Sequence, residues 1–125
     1  FRGTLLHDAM GGAGTGWLRG FFARQGLGAQ LAELHPEPHP LFYGVNPEPI
    51  ESNLGAAQRW LREHPAVFAV ATDGDGDRLG ALLPDGRPFN AHQIFAVLLE
   101  HLARRGERGL VVKTFTVSRV VERLA

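Results

Sequence analysis

The stretch Val67-Phe68-Ala69-Val70-Ala71-Thr72-Asp73-Gly74-Asp75-Gly76-Asp77-Arg78 joins an uninterrupted apolar run to a loop of alternating aspartate and glycine. The apolar run, Val67–Ala71, is short and ends at polar residues, which predicts a strand. A strand without polar alternation is typical of a sheet that is covered on both faces. The stretch therefore predicts an α/β fold, with the aspartates directly after the carboxyl end of a strand.

The segments on either side alternate between strand and helix patterns, with glycine and proline at the breaks. The turn sequence Pro84-Asp85-Gly86-Arg87 indicates a hairpin or an edge strand. We therefore predict a three-layer αβα sandwich around a mainly parallel mixed sheet. The predicted strands are 4–7, 29–34, 67–71, 79–83 and 110–113, and the predicted helices are 16–25, 53–63, 91–105 and 118–125.

Apolar residues recur at helical spacing in the three longer predicted helices, which indicates the face that each helix should bury. The predicted buried stripes are Trp17, Leu18, Phe21 and Phe22 in the first helix, Leu54, Ala57, Trp60 and Leu61 in the second, and Ile94, Phe95, Leu98, Leu99 and Leu102 in the third.

The segment from His35 to Ser52 contains five prolines, so neither a helix nor a central strand can persist there. Loops of this length inside a compact domain tend to be functional. His35 and His39 would have metal-ligand spacing on a helix, but the prolines exclude the helix, and we expect both side chains to be solvated. Glu48, in the same loop, either approaches the aspartates or is solvated.

Composition excludes several classes of function. The 125 residues include 13 basic and 13 acidic side chains, so no excess charge favours nucleic acid or an anionic membrane. Cysteine is absent, which excludes disulfides, thiolate metal sites and a cysteine nucleophile. No apolar run approaches the roughly 18 residues of a membrane span. We therefore expect a cytoplasmic protein that binds neither nucleic acid nor membrane.

Asp73, Asp75 and Asp77 have the spacing of a metal site. Alternate residues of an extended chain project to the same side, and the intervening glycines allow the backbone to bend until the three carboxylates reach one point. Three such charges repel each other unless a cation lies between them, and Mg²⁺ binds carboxylate oxygens while keeping positions for water or phosphate. We predict a Mg²⁺ site here, with Arg78 as a guanidinium fork for the phosphate.

A calcium loop of the EF-hand type also opens with Asp-x-Asp-x-Asp. That motif requires glycine at its sixth position and glutamate at its twelfth, where this chain has Arg78 and Pro84. The preceding segment is also a predicted strand, whereas an EF-hand loop follows a helix. The sequence therefore excludes the EF-hand interpretation.

The stretch Val70–Gly80 resembles the metal-loop signature of the α-D-phosphohexomutases, the phosphoglucomutase/phosphomannomutase family. Asp8–Gly14 is similar to the opening strand and glycine turn of that family, and Asn46–Pro49 is similar to its Asn-Pro-x-Pro stretch. Lys113-Thr114 resembles the start of its third domain. Gly11 departs from the family pattern, since many members carry histidine at this position.

The resemblance implies a fragment of a mutase that interconverts hexose 1-phosphate and hexose 6-phosphate, of glucose or mannose, through a phosphoserine and a bisphosphorylated sugar. Residues 1–106 would form its metal-binding second domain, and residues 107–125 the opening βα unit of the third. Mg²⁺ on the aspartates would neutralise phosphate charge, with Arg78 and Lys113 as catalytic contacts. The phosphoserine loop is absent from these 125 residues, so the fragment alone should be inactive. The expected partners are the phosphosugar and the remaining domains of the same enzyme.

The sequence also bears on three other functions. A freestanding module that binds a metal or a phosphorylated ligand without turnover stays open. A phosphatase of the haloacid-dehalogenase type needs Asp-x-Asp near the first strand, where only Asp8 is found, followed by Ala9 and Met10. The glycines from Gly11 to Gly16 fit neither the dinucleotide motif nor the P-loop lysine motif.

Overall fold

The computed structural model describes residues 2–125, apart from the side chain of Ala29, so Phe1, the first residue of the predicted domain, lies outside the description. The chain divides into two compact units, Phe1–Phe89 and Asn90–Ala125. The predicted domains, residues 1–106 and 107–125, divide the chain at a different point and stay a prediction.

The strands of the first unit form one five-stranded sheet in the order β2-β1-β3-β4-β5. β1 (Leu5–Asp8), β2 (Leu31–Leu34) and β3 (Phe68–Thr72) are parallel. β4 (Leu79–Leu82) and β5 (Pro88–Phe89) continue the sheet as an antiparallel hairpin. The predicted α/β class with a mixed, mainly parallel sheet is confirmed. Because the parallel strands share one direction, the loops that follow them leave from the same edge of the sheet.

Two helices of this unit, α1 (Trp17–Arg24) and α2 (Gly55–Glu63), lie on opposite faces of the sheet. Ala32 and Leu34 of β2 pack against the core that includes residues of α2. Glu33 lies between them and points to the opposite side of the sheet, because successive strand residues alternate. Arg19 of α1 donates from Nε to the Glu33 carboxylate, which places α1 over the other face. The buried core on the α2 face comprises Leu6, Met10, Leu54, Ala57, Leu61, Ala69, Ala71 and Leu82.

The boundaries of α2 follow from its sequence. A 3₁₀ turn at Glu51–Asn53 precedes the helix, and its last residue is followed by His64, which has extended backbone angles. Proline disfavours helical geometry in the residue before it, so Pro65 explains the stop at this point. The predicted buried stripe of this helix is confirmed, with Trp60 only partly buried.

Several other residues that the patterns predicted to be buried are exposed. Phe22 of α1 is buried, but Trp17 is 74% exposed and Phe21 is 48% exposed. Phe68 of β3 is also 37% exposed, so the prediction that both faces of this strand are covered was wrong at that residue. A pattern indicates which face favours burial, whereas actual burial depends on how much apolar surface lies opposite.

The predicted long loop, residues 35–52, is confirmed, but its histidines are not solvated as expected. Nδ1 of His35 lies 2.8 Å from Oδ1 of Asp8, a buried carboxylate at the end of β1. The Tyr43 ring lies 4.7 Å from the ring of His35 and 4.5 Å from that of His39, measured between centroids. These contacts leave both imidazoles half-buried.

The second unit contains α3 (Ala91–Arg104) and α4 (Val120–Leu124). A capping box between Asn90 and Gln93 begins α3. The predicted buried stripe of this helix was wrong in part, since Leu98 is 53% exposed and Leu102 is 48% exposed.

The predicted strand at 110–113 is not present, and residues 118–119 precede the last helix instead of belonging to it. A strand requires a neighbour to pair with, and the sheet formed by the described residues does not extend to this segment. None of the helices within residues 2–125 combines the length and apolar character needed to cross a membrane.

His7 is a buried titratable group in the middle of β1. It is 1% exposed, and its nearest polar partner among the described residues is the Glu33 carboxylate, whose Oε1 lies 3.8 Å from Nδ1, longer than a hydrogen bond. Burial lowers the pKa of His7 from 6.5, and the charges of Glu33 and Asp8 offset only part of this effect. The folded protein therefore favours the neutral imidazole.

We predict that the free energy of unfolding decreases as the pH falls below 6.5, the ordinary histidine pKa. The unfolded chain binds a proton there, while folded His7 stays neutral until a lower pH, so protons favour unfolding. Chemical denaturation between about pH 7.5 and pH 5.5 should show a smaller decrease for His7→Leu than for wild type. His92→Leu, at an exposed position of α3, is the control. Equal pH dependence in wild type and His7→Leu would contradict this account.

Candidate metal centre

The loop after β3, residues 73–78, brings the three predicted aspartates together, and we call it the aspartate loop. One carboxylate oxygen from each of Asp73, Asp75 and Asp77 lies within 4.8 Å of the others. Asp73 is buried, whereas Asp75 and Asp77 are exposed, so the cluster is open to solvent on one side. Cation binding by these residues stays a prediction.

The electrostatics of the cluster fit a hard cation. The negative charge of Asp75, together with a hydrogen bond and the charge from Asp73, raises the pKa of the Asp77 carboxyl. The largest cause of this shift is repulsion from the Asp75 carboxylate, which a bound cation would relieve. Carboxylate oxygens are the donors that Mg²⁺ and Ca²⁺ prefer. The donor set is therefore suited to a divalent cation of this kind.

Arg78 fixes the buried member of the cluster. Its backbone N–H donates to Oδ1 of Asp73 at 3.0 Å, and its Nε donates to Oδ2 at 2.7 Å. Burial by itself would raise the pKa of Asp73, but these hydrogen bonds outweigh burial and lower the pKa to about 2. Asp73 is thus ionised at neutral pH. Each of its oxygens has a second lone pair, so these bonds do not exclude a metal.

Glu48, from the long loop, is also part of this site. Nη1 of Arg78 donates to Oε1 of Glu48 at 2.7 Å. Of the two alternatives left open for Glu48, the approach to the aspartate loop is therefore the one that the structure has. The two carboxylate partners, Asp73 first and Glu48 second, raise the pKa of Arg78. The predicted contact of Arg78 with phosphate stays a prediction.

The glycine turn after β1, residues 11–16, packs directly on the aspartate loop. The Ala13 N–H donates to the Gly74 carbonyl at 3.0 Å. A Cβ atom added at Gly12 would lie 2.6 Å from the same carbonyl oxygen, and one added at Gly14 would overlap the Thr72 hydroxyl. The sequence predicted only a strand-to-helix turn at these glycines. Their second role, the close approach to the aspartate loop, has no local sequence signal.

A cleft of about 430 Å³ opens beside this contact. The glycine turn, the proline-rich loop and the aspartate loop all contribute to its walls, with Gly12, His39, Phe42 and Gly74 among the lining residues. All three segments follow or approach the carboxyl edge of the sheet, where open α/β folds bind their ligands.

The profile of one protein family matches most of the first unit. The match covers residues 2–86, and the family is described as phosphoglucomutase/phosphomannomutase, alpha/beta/alpha domain II. The chain belongs to the phosphoglucomutase/phosphomannomutase family. The resemblance inferred from the aspartate loop is thereby confirmed.

Named relatives agree with the family assignment. The chain is 31% identical to a phosphoglucomutase/phosphomannomutase of Thermococcus kodakarensis, over 99% of this chain and 27% of that protein. It is 36% identical to a phosphoglucosamine mutase of Chromobacterium violaceum, over 77% of this chain and 21% of that protein. The chain thus spans about a quarter of the length of these relatives.

Solved structures of phosphoglucomutase/phosphomannomutase relatives have the same fold. A crystal structure from Thermus thermophilus, described as a candidate phosphomannomutase, superimposes with a TM-score of 0.92 at 51% identity, covering 98% of this chain and 28% of that one. A phosphoglucomutase/phosphomannomutase family protein from Burkholderia thailandensis gives a TM-score of 0.79 at 26% identity, covering 98% and 27%.

Lys113, the other predicted catalytic residue, lies in the second unit. Its Nζ is 2.8 Å from Oε1 of Glu122 and 3.4 Å from the carbonyl oxygen of Val117. These contacts hold the ammonium group against its own unit. A role for Lys113 in phosphosugar binding stays a prediction.

We predict that Gly12→Ala destabilises the protein by about 1–3 kcal/mol, because the added methyl group meets a backbone oxygen that cannot rotate away. Gly55→Ala is the control, since its methyl group would lie 3.6 Å from the mobile end of Arg59. Chemical denaturation of both variants measures the difference. A Gly12→Ala variant as stable as Gly55→Ala would show that the turn and the aspartate loop are not in tight contact.

Proposed function

We propose that this chain supplies the Mg²⁺ site of a phosphohexomutase that interconverts the 1- and 6-phosphates of a hexose. The observation that carries the proposal is the convergence of Asp73, Asp75 and Asp77 beside Arg78. Membership of the phosphoglucomutase/phosphomannomutase family supports it. Because the named relatives are several times longer than this chain, the activity belongs to a longer protein that contains it.

Within this proposal, the three aspartates hold the ion and Arg78 contacts the phosphate. Bound Mg²⁺ supplies positive charge that stabilises a transferring phosphoryl group. Nε and Nη1 of Arg78 are committed to carboxylates, and no hydrogen bond between described residues uses its Nη2. A phosphate oxygen can therefore accept from Nη2 while the two carboxylate bonds are kept.

The other parts of the proposed reaction come from outside these residues. A phosphoserine donates its phosphate to the sugar, and the bisphosphorylated sugar returns the other phosphate to the serine. We include Lys113 in the proposal as a contact to the phosphosugar. The substrate is the 1-phosphate or 6-phosphate of glucose or mannose, and glucosamine is included because phosphoglucosamine mutases are among the relatives.

Metal binding can be tested on the chain itself. We predict that Mg²⁺ raises its melting temperature, since a ligand that binds the folded state stabilises it. Asp75→Asn should reduce the shift, and Asp85→Asn, which removes an exposed carboxylate of the hairpin turn, should not. The shift should also decrease as the pH falls, because a proton competes for Asp77, whose pKa is raised. An equal shift in wild type and Asp75→Asn would place the ion elsewhere.

Turnover can be tested on the longer protein that contains the chain. We predict Mg²⁺-dependent conversion of glucose 1-phosphate, mannose 1-phosphate or glucosamine 1-phosphate to the 6-phosphate. Asp75→Ala should lower kcat by about 100-fold or more, because the charge stabilisation of the transferring group is lost. Wild-type protein that is inactive on all three sugars would instead favour the non-catalytic binding module.

A further inference from the structure

We propose that Glu48 is a positioning residue that orients Arg78 for the phosphate of the substrate. This inference rests on the mutase function proposed above. It concerns a side chain that is not one of the three clustered aspartates. Glu48 acts through the guanidinium group and does not itself contact the reacting atoms.

The geometry of Arg78 carries the inference. The hydrogen bond from Nε to Asp73 restrains one atom of the guanidinium group and does not by itself fix the direction of the whole fork. The second bond, from Nη1 to Glu48 at 2.7 Å, fixes the plane. Since the guanidinium donors form a rigid fork, fixing the plane also fixes the direction of the remaining N–H groups. Those groups are the ones left for a phosphate.

The segment that carries Glu48 is itself held against the aspartate loop. The Gly74 N–H donates to the Pro47 carbonyl at 3.0 Å, and Nδ2 of Asn53 donates to the Glu48 carbonyl at 2.9 Å. Farther along, Gly80 lies so close to Pro49 that any side chain at residue 80 would overlap its carbonyl. The Glu48 carboxylate is therefore presented from backbone that is hydrogen-bonded to the aspartate loop at Gly74 and lies close to β4 at Gly80.

Exposure argues that this ion pair serves orientation more than stability. The Glu48 side chain is 37% exposed and that of Arg78 is 56% exposed. Ion pairs this accessible contribute little to folding because water and salt screen them. A contact with a small folding benefit still determines where the free donors of Arg78 point. Loss of Glu48 should thus affect catalysis far more than the melting temperature.

The test uses the active longer protein, with Glu48→Ala and the conservative variant Glu48→Gln. We expect Glu48→Ala to lower kcat by about 10- to 100-fold, the range in which small misplacements act, with a much smaller change in KM and in melting temperature. Glu48→Gln retains an oxygen acceptor and should keep more of the activity. Glu51→Ala, which removes another exposed carboxylate of the same loop, is the matched control and should resemble wild type.

A double-mutant cycle with Arg78→Ala separates positioning from a general structural effect. If Glu48 acts through Arg78, adding Glu48→Ala to Arg78→Ala causes no further loss of kcat. Two losses that multiply, or a Glu48→Ala variant with wild-type kcat, would overturn the inference and leave the mutase function standing. Wild-type protein without mutase activity would instead reject the proposed function, and the positioning role with it.

Discussion

The contact between the glycine turn after β1 and the aspartate loop after β3 is the constraint on which the rest of the site depends. Asp8 is paired in register with Ala71, so the two strands end almost at the same level of the sheet. Their following segments therefore compete for the same space, and only residues without a side chain at Gly12 and Gly14 can share it. The position of the aspartate loop thus follows from strand pairing.

The long proline-rich loop, residues 35–52, also contributes contacts to the site. Its Pro47 carbonyl accepts a hydrogen bond from the Gly74 N–H of the aspartate loop, and its Glu48 carboxylate accepts one from Arg78. At its other end, His35 contacts Asp8 at the end of β1. The loop thus links the ends of two neighbouring strands, β1 and β3.

Much of the architecture could be predicted from local sequence patterns. The aspartate loop, the stop of α2 before Pro65 and the turn between β4 and β5 each depend on residues close together in the chain. The contacts of Glu48 with Arg78 and of Asp8 with His35 span 30 and 27 residues, and no local periodicity encodes them. The predicted burial of α3 was wrong in part for a related reason. The sequence pattern indicated an apolar face that includes Leu98, but a local pattern does not show how much apolar surface packs against that face. The strand predicted at 110–113 is not present among the described residues.

The hydrogen bonds of Arg78 to Asp73 have a kinetic consequence for the aspartate loop. Bonds within the protein fix the buried carboxylate, so its position does not depend on an incoming ion. A carboxylate that is fixed in advance requires little ordering when an ion binds. For the Mg²⁺ ion proposed above, which dehydrates reluctantly, loss of bound water would then be a slow step of binding. Exchange of one ion for another at this loop should accordingly follow the hydration chemistry of the metal.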